Sequence, residues 1–277
     1  MRVFLINLDR SADRLDWFMA NARRIGLGDI ERIAAVDGRS LDDNEVDRWR
    51  ALSSGEHSLS RSELGCFLSH RCCWRRMVAD GDDWTLILED DVHLADSLPA
   101  FTKDAAWVPA GTGLVKIETN GKPQELLMQP VAAAYGHQLR RLLSYHNCSG
   151  GYFVSREGAR RLLAFSDRHC EPVDAVLFSS KYGVAEDVPT LQTVPALCCQ
   201  DMYISDSGLP SLIAEDRART KARMKGRSVA ERIKRELRSA GRKVANRLHR
   251  ATARGAARSE VLVVPFKARP IRMDAPK

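Results

Sequence analysis

Apolar positions along the first two hundred residues follow two alternating patterns: short unbroken runs, and longer stretches spaced by three and four. Val3-Phe4-Leu5-Ile6 is an unbroken run closed by polar Asn7, and it predicts a buried strand over Arg2–Leu8. Ser11–Ile25 carries Leu15, Phe18, Met19, Ala22 and Ile25 at helical spacing, with Gly26 just past the end. Glu31–Val36 predicts a second strand, closed by Asp37-Gly38. Ser60-Arg61-Ser62-Glu63 is a capping box; it opens a helix that runs to about Ala79 and stops at Asp80-Gly81. Thr85–Leu88 is a wholly buried type of strand that runs into Glu89-Asp90-Asp91. Strands are also predicted at Gly113–Thr119, Gly151–Ser155 and Val188–Val194, and helices at Glu157–Phe165 and Val173–Ser180.

Strands that alternate with helices in this way imply an α/β fold, a doubly wound and largely parallel sheet flanked by helices. Such sheets bind ligands at the carboxyl ends of their strands. Asn7–Arg10, Asp37-Gly38 and Glu89–Asp91 all fall there. Neither G-x-G-x-x-G nor G-x-x-x-x-G-K-[ST] occurs, so no dinucleotide fingerprint or P-loop is indicated. The first apolar run is too short for a signal peptide, and none approaches the ~18–20 residues of a spanning helix. Seven cysteines, two pairs of them adjacent and none in C-x-x-C, read as reduced core thiols of a cytoplasmic chain.

The net charge of +7 divides the chain in two. From Glu215 onward there are 20 Lys and Arg against 6 Asp and Glu, which leaves 23 against 30 for residues 1–214. An acidic body over residues 1–210 therefore precedes a basic tail over 211–277, with Gly208-Leu209-Pro210 at the boundary. Val229, Ile233, Leu237, Ala240, Val244 and Leu248 make one apolar helical face of that tail, flanked by Arg and Lys. A helix of this kind suits an anionic membrane surface, here reached through residues 215–277 on the inner face of the cytoplasmic membrane. Docking on the acidic body is the alternative. Nucleic acid ranks last, because no aromatic residue lies between Tyr203 and Phe266 to stack a base. Val261-Leu262-Val263-Val264-Pro265-Phe266 is a short apolar patch that either returns to the body or seats in the interface.

Three consecutive carboxylates at the end of a buried strand repel one another unless a cation or hydrogen-bond donors compensate. A hard divalent ion with oxygen ligands would do so; a solvated turn leading into a helix start would explain the same residues.

Taken together, the motifs resemble those of glycosyltransferase family 25. Ile6-Asn7-Leu8-Asp9-Arg10 with Arg14 is similar to that family's opening. Ala35-Val36-Asp37-Gly38, Ser62-Glu63-Leu64-Gly65-Cys66-Phe67-Leu68-Ser69-His70 and Leu86–Val92 follow in the family's order and at similar spacing. Gly151–Ser155, Gly158-Ala159 and Pro172-Val173-Asp174 continue the match, which covers roughly residues 2–205.

The resemblance implies a GT-A type sheet. It also implies transfer of a sugar, usually galactose, from a UDP-sugar donor to a lipooligosaccharide or related glycan or glycolipid acceptor, with inversion. In that picture Glu89-Asp90-Asp91 stands for the D-x-D motif, with Asp91 a direct manganese ligand and Glu89 facing metal or ribose. Mn2+ would stabilise the leaving diphosphate. Asn7, Arg10, Arg14 and Asp37 are expected at the uracil, ribose or diphosphate, and Gln200 near the diphosphate. Inversion needs a general base; Asp174 is the first candidate, with Asp187 and Glu118 as competitors. Glu63 is accounted for by the capping box, and His70, on an apolar helix, reads as a satisfied buried histidine. A sugar nucleotidyltransferase is the rival enzyme, although its Gly-rich loop after the first strand is missing. A non-catalytic scaffold acting through the tail is the rival outside catalysis.

Overall fold

The computed structural model describes residues 1–53, 59–179, 188–204 and 258–268. In chain order the elements are β1 (Arg2–Asn7), α1 (Ala12–Ile25), β2 (Ile30–Ala34), α2 (Asp43–Ala51), α3 (Arg61–Asp80), β3 (Trp84–Glu89), β4 (Val92–Leu94) and the short α4 (Leu98–Phe101). There follow β5 (Leu114–Lys116), β6 (Glu118–Thr119), β7 (Pro123–Leu127), β8 (Ala132–Ala134), β9 (His137–Arg141), β10 (Gly151–Ser155), α5 (Arg156–Ser166) and α6 (Val173–Phe178). The last are β11 (Thr190–Val194), β12 (Cys198–Gln200), a 3₁₀ turn over Asp201–Tyr203, and β13 (Ser259–Val263).

The main sheet runs β2-β1-β3-β10-β5-β11-β9-β8. β1 pairs in parallel with β2 and β3, and β5 with β11. β10 is antiparallel to both of its neighbours, and so is β9. The sheet is therefore mixed rather than largely parallel. An unbroken apolar run such as Tyr152-Phe153-Val154 signals a strand buried on both faces, but it carries no direction.

Side chains alternate across the sheet, and helices cover both faces. Phe4, Ile6, Ile87, Leu114, Tyr152 and Val154 pack toward α3, α5 and α6. Val3, Leu5, Leu86, Leu88, Val115 and Phe153 pack with Trp17, Phe18 and Ala22 of α1 on the other side. The doubly wound expectation holds in this sense. α3 begins with the expected capping box: the Ser60 hydroxyl accepts from Glu63 N–H and the Glu63 carboxylate from Ser60 N–H. Its first turns press on the loop after β2. A Cβ on Gly38 would collide with the Arg61 carbonyl, and one on Gly65 would sit 2.5 Å from the Val36 carbonyl oxygen. Two motif glycines thus mark one backbone crossing.

The strand expected over Gly113–Thr119 breaks at Ile117. Its first half lies in the main sheet, and its second half joins a small sheet ordered β4-β12-β6. That small sheet caps the carboxyl ends of β3 and β5. At the far end of the chain β13 pairs antiparallel with β7, Val264 is buried, and Ala196 N–H donates to the Pro265 carbonyl (2.8 Å). The apolar patch therefore returns to the body. The amphipathic helix expected over 229–248 lies outside the described residues, and so does Asp187.

Candidate active site

The carboxyl ends of β1 and β3 lie side by side, and the triplet turns over them between β3 and β4. Asn7, the last residue of β1, donates through Nδ2 to Asp90 (2.7 Å) and to the Ser11 carbonyl (2.9 Å). Its own Oδ1 accepts from Arg32 Nε (2.9 Å), which fixes the amide's orientation. Arg14, on the first turn of α1, reaches Asp90 at 2.8 Å and Asp91 at 3.0 Å with its side chain only 13% exposed. A polar helical position of this kind reads as solvent-facing from spacing alone, yet here it is the cation of the site.

Glu89 is held from three directions. His70 Nε2 lies 3.1 Å from Oε1, Ser149 Oγ donates to the same oxygen at 2.6 Å, and Gln200 Nε2 donates to Oε2 at 3.3 Å. The direction of the bond from His70 to Glu89 follows from its neighbours. Trp74 Nε1 can only donate, and it donates to the Tyr152 hydroxyl (2.9 Å). Glu89, an acceptor only, takes Nε2–H, and the Tyr152 hydroxyl, which accepts from Trp74, is free to donate to His70 Nδ1 (2.9 Å). His70 is thus satisfied, as expected, but through the site rather than apart from it. Nothing in the spacing along α3 discloses this, because Tyr152 and Glu89 arrive from other strands.

Burial would raise the Glu89 carboxyl, but the hydrogen bonds from His70 and Ser149 and the charge on Arg14 outweigh it and hold Glu89 below its ordinary range. Asp91 lacks comparable donors. Burial, reinforced by Glu89, Asp90 and Glu118 and opposed by Arg14, pushes it up to about 7. Burial likewise raises Asp90. Three carboxylates therefore share one guanidinium, and among the described residues Asp91 Oδ1 is buried without a partner. The donor set is hard oxygen with surplus negative charge, which fits a divalent cation such as Mn2+ held by Asp91 and Glu89. Cys66, His70 and Glu89 also bring donor atoms within 4.8 Å of one another. There, however, burial holds the Cys66 thiol protonated, and both His70 nitrogens are engaged. The carboxylate set is the better cation site.

Arg10 and Asp37 pair with each other at 2.7 Å on the more exposed rim. That bond, followed by opposing burial, leaves the Asp37 carboxyl below its ordinary value. Asp174 lies on α6, where Oδ2 accepts from Cys148 N–H (3.0 Å) and Oδ1 from Ala175 N–H (2.8 Å). Glu118 is fully buried against Lys116 Nζ (3.1 Å), and burial raises it to about 7. Its Oε2 accepts from Gly150 N–H (2.9 Å). Gly150 sits in contact with the site: a Cβ there would lie 3.0 Å from Glu118 Oε1 and 3.1 Å from Gln200 Cγ. Asn7, Arg14, Glu89, Asp90, Asp91 and Gln200 thus come together as one cluster. His70, Ser149, Tyr152 and Lys116 complete its surroundings without having been expected there.

The model of the family described as glycosyltransferase family 25 (LPS biosynthesis protein) matches residues 1–177. The lacto-N-neotetraose biosynthesis glycosyltransferase LgtB of Neisseria meningitidis serogroup B is 31% identical over 188 residues, 62% of this chain and 67% of that protein. Mouse procollagen galactosyltransferase 2 is 27% identical over 240 residues, 79% of this chain but only 37% of its own length. Among solved structures, a glycosyltransferase involved in glycosylation of the PBCV-1 major capsid aligns over 80% of this chain and 98% of its own. That likeness is slight, with 11% identity and a TM-score of 0.40.

Proposed function

The chain belongs to glycosyltransferase family 25, and on that premise we propose that it transfers a hexose, galactose first, from a UDP-sugar to a surface glycan of the lipooligosaccharide type, with inversion. The observation that carries this reading is the cluster of Glu89, Asp90 and Asp91 around Arg14, with a buried Asp91 oxygen that no described residue satisfies. Asp91 and Glu89 would hold the divalent cation, which when bound supplies positive charge to the leaving diphosphate.

The protein's own groups set up that charge in advance. Asn7 and Arg14 fix Asp90, and Arg14 also braces Asp91, so the carboxylates do not swing apart when neutralised. His70 and Ser149 keep Glu89 ionised and oriented. Such prior alignment is what makes electrostatic stabilisation effective, because little reorganisation is left for the moment of transfer. The Arg10–Asp37 pair on the rim is suited to polar groups of the nucleoside.

The test is UDP release from a panel of UDP-galactose, UDP-glucose and UDP-N-acetylglucosamine with an acceptor ending in N-acetylglucosamine, in Mn2+ or in EDTA. Transfer from UDP-galactose that EDTA abolishes is the expected result. Silence across the panel in Mn2+ would remove the reading, and pyrophosphate exchange with a sugar 1-phosphate would replace it with a nucleotidyltransferase.

A further inference from the structure

The segment Cys148-Ser149-Gly150 enters β10 in a conformation that its own sequence does not favour. Cys148 has φ of 75°, in the left-handed region that side chains with a Cβ rarely adopt. Around it, three main-chain groups are gripped by charged side chains and a fourth by the backbone of β3. Asp174 accepts from Cys148 N–H at 3.0 Å, and Lys116 Nζ donates to the Cys148 carbonyl at 2.6 Å. Glu118 accepts from Gly150 N–H at 2.9 Å, and the Gly150 carbonyl accepts from Glu89 N–H at 3.0 Å. Between these anchors the Ser149 hydroxyl is delivered to Glu89 at 2.6 Å. Lys116 also lies 4.1 Å from the ring centre of Phe178, on the same helix as Asp174, so the two anchors share one support.

We infer that Asp174 is a positioning residue: together with Lys116 and Glu118 it locks Cys148 in its left-handed conformation and so places Ser149 on Glu89, and it does not take the acceptor's proton. Both carboxylate oxygens of Asp174 accept from main-chain N–H groups, which holds the side chain against the backbone it would position. It reaches Glu89 through the backbone of Cys148 and the side chain of Ser149. This rests on the reading of Glu89 as part of the donor and metal site.

Three measurements on the full chain test it: amide hydrogen exchange of the 147–150 segment, Mn2+ titration followed by electron paramagnetic resonance, and turnover. Asn keeps an oxygen for Cys148 N–H, at the cost of the acceptor for Ala175 N–H, but cannot act as a base. Asp174→Asn is therefore expected to hold exchange near wild type and turnover within about tenfold. Asp174→Ala is expected to speed exchange at Cys148 by at least about tenfold and to weaken Mn2+ binding by a similar factor. Ser149→Ala spares the segment's anchors; it should reproduce the loss of Mn2+ affinity without changing exchange, and adding it to Asp174→Ala should cost little more. If Asp174→Asn loses turnover about a thousandfold while exchange and Mn2+ binding stay at wild-type values, Asp174 is the base and the inference is overturned. Unchanged exchange in Asp174→Ala overturns it too. If the wild type binds no Mn2+ while exchange responds as expected, the reading of the metal site fails and the positioning role stands.

Discussion

Two buried charge clusters face each other across the carboxyl ends of the sheet, and they are built on opposite principles. Lys116 and Glu118 form a one-to-one pair with neither side chain exposed; Lys116 Nζ and Glu118 Oε2 also hold backbone groups of the Cys148–Gly150 segment, while Glu118 Oε1, like Asp91 Oδ1, is buried without a partner among the described residues. Arg14 faces Asp90, Asp91 and, more distantly, Glu89, and the sum is negative. The balanced cluster is a fixture. The unbalanced one carries a strain that a cation would relieve, and it is this difference, more than burial or acidity, that marks where a ligand belongs.

The comparison can be broken most sharply on its balanced side. Lys116→Met leaves Glu118 buried with no counter-charge and frees the Cys148 carbonyl. It should cost about 3–5 kcal/mol of stability, read as a lowered urea midpoint. On the unbalanced side the same kind of neutralisation should behave in the opposite way. Asp91→Asn removes a like charge from a crowded corner, so the thermal midpoint should hold or rise by a few degrees. Transfer should meanwhile fall at least about a hundredfold, or ~2.7 kcal/mol. A loss of stability there as large as for Lys116→Met would erase the distinction.

The smallest effect tests the burial of a histidine beside the balanced cluster. His146 is buried beside it and hydrogen-bonded to Gln192 (3.2 Å); burial, then Lys116, lowers its imidazole to about 2. The native state therefore keeps His146 neutral, while the unfolded chain takes up a proton below about pH 6.5. Stability is accordingly full above that pH and falls as pH drops through it, by up to about 1.4 kcal/mol per unit from this group. His146→Gln should flatten that part of the curve between pH 6.5 and 5. An unchanged slope in chemical denaturation would show that the histidine titrates freely.

Much of the frame was readable along the chain because its signals are local. The capping box at Ser60 and Glu63, the apolar runs of β1, β3 and β10, and the carboxylates at a strand end each state their role within a few residues. What could not be read depends on partners far away in sequence. β4, β6 and β12 are two or three residues long, too short to show a period, and exist because they pair with one another. β7, β8 and β9 occupy Lys122–Arg141, a stretch without pattern, and β7 finds its partner in β13 near the other end of the chain. In the site the same rule divides the residues. Asp90 and Asp91 announce themselves, whereas Arg14 and His70 look like an ordinary surface charge and an ordinary core histidine until the sheet brings Glu89–Asp91 to them.

The pairing of β13 with β7 brings residues that follow the basic stretch back onto the body. On either side of residues 205–257 the described chain is moored to the body, by the 3₁₀ turn over Asp201–Tyr203 upstream and by β13 downstream. The upstream mooring is not neutral ground: Asp201 N–H donates to the Asp91 carbonyl (2.8 Å), and the Tyr203 hydroxyl lies 3.4 Å from Cys148 Sγ. The turn that carries Asp91 and the segment that carries Ser149 are therefore both tied to the residues of the 3₁₀ turn. A displacement of that 3₁₀ turn would thus reach Asp91 and Cys148 together.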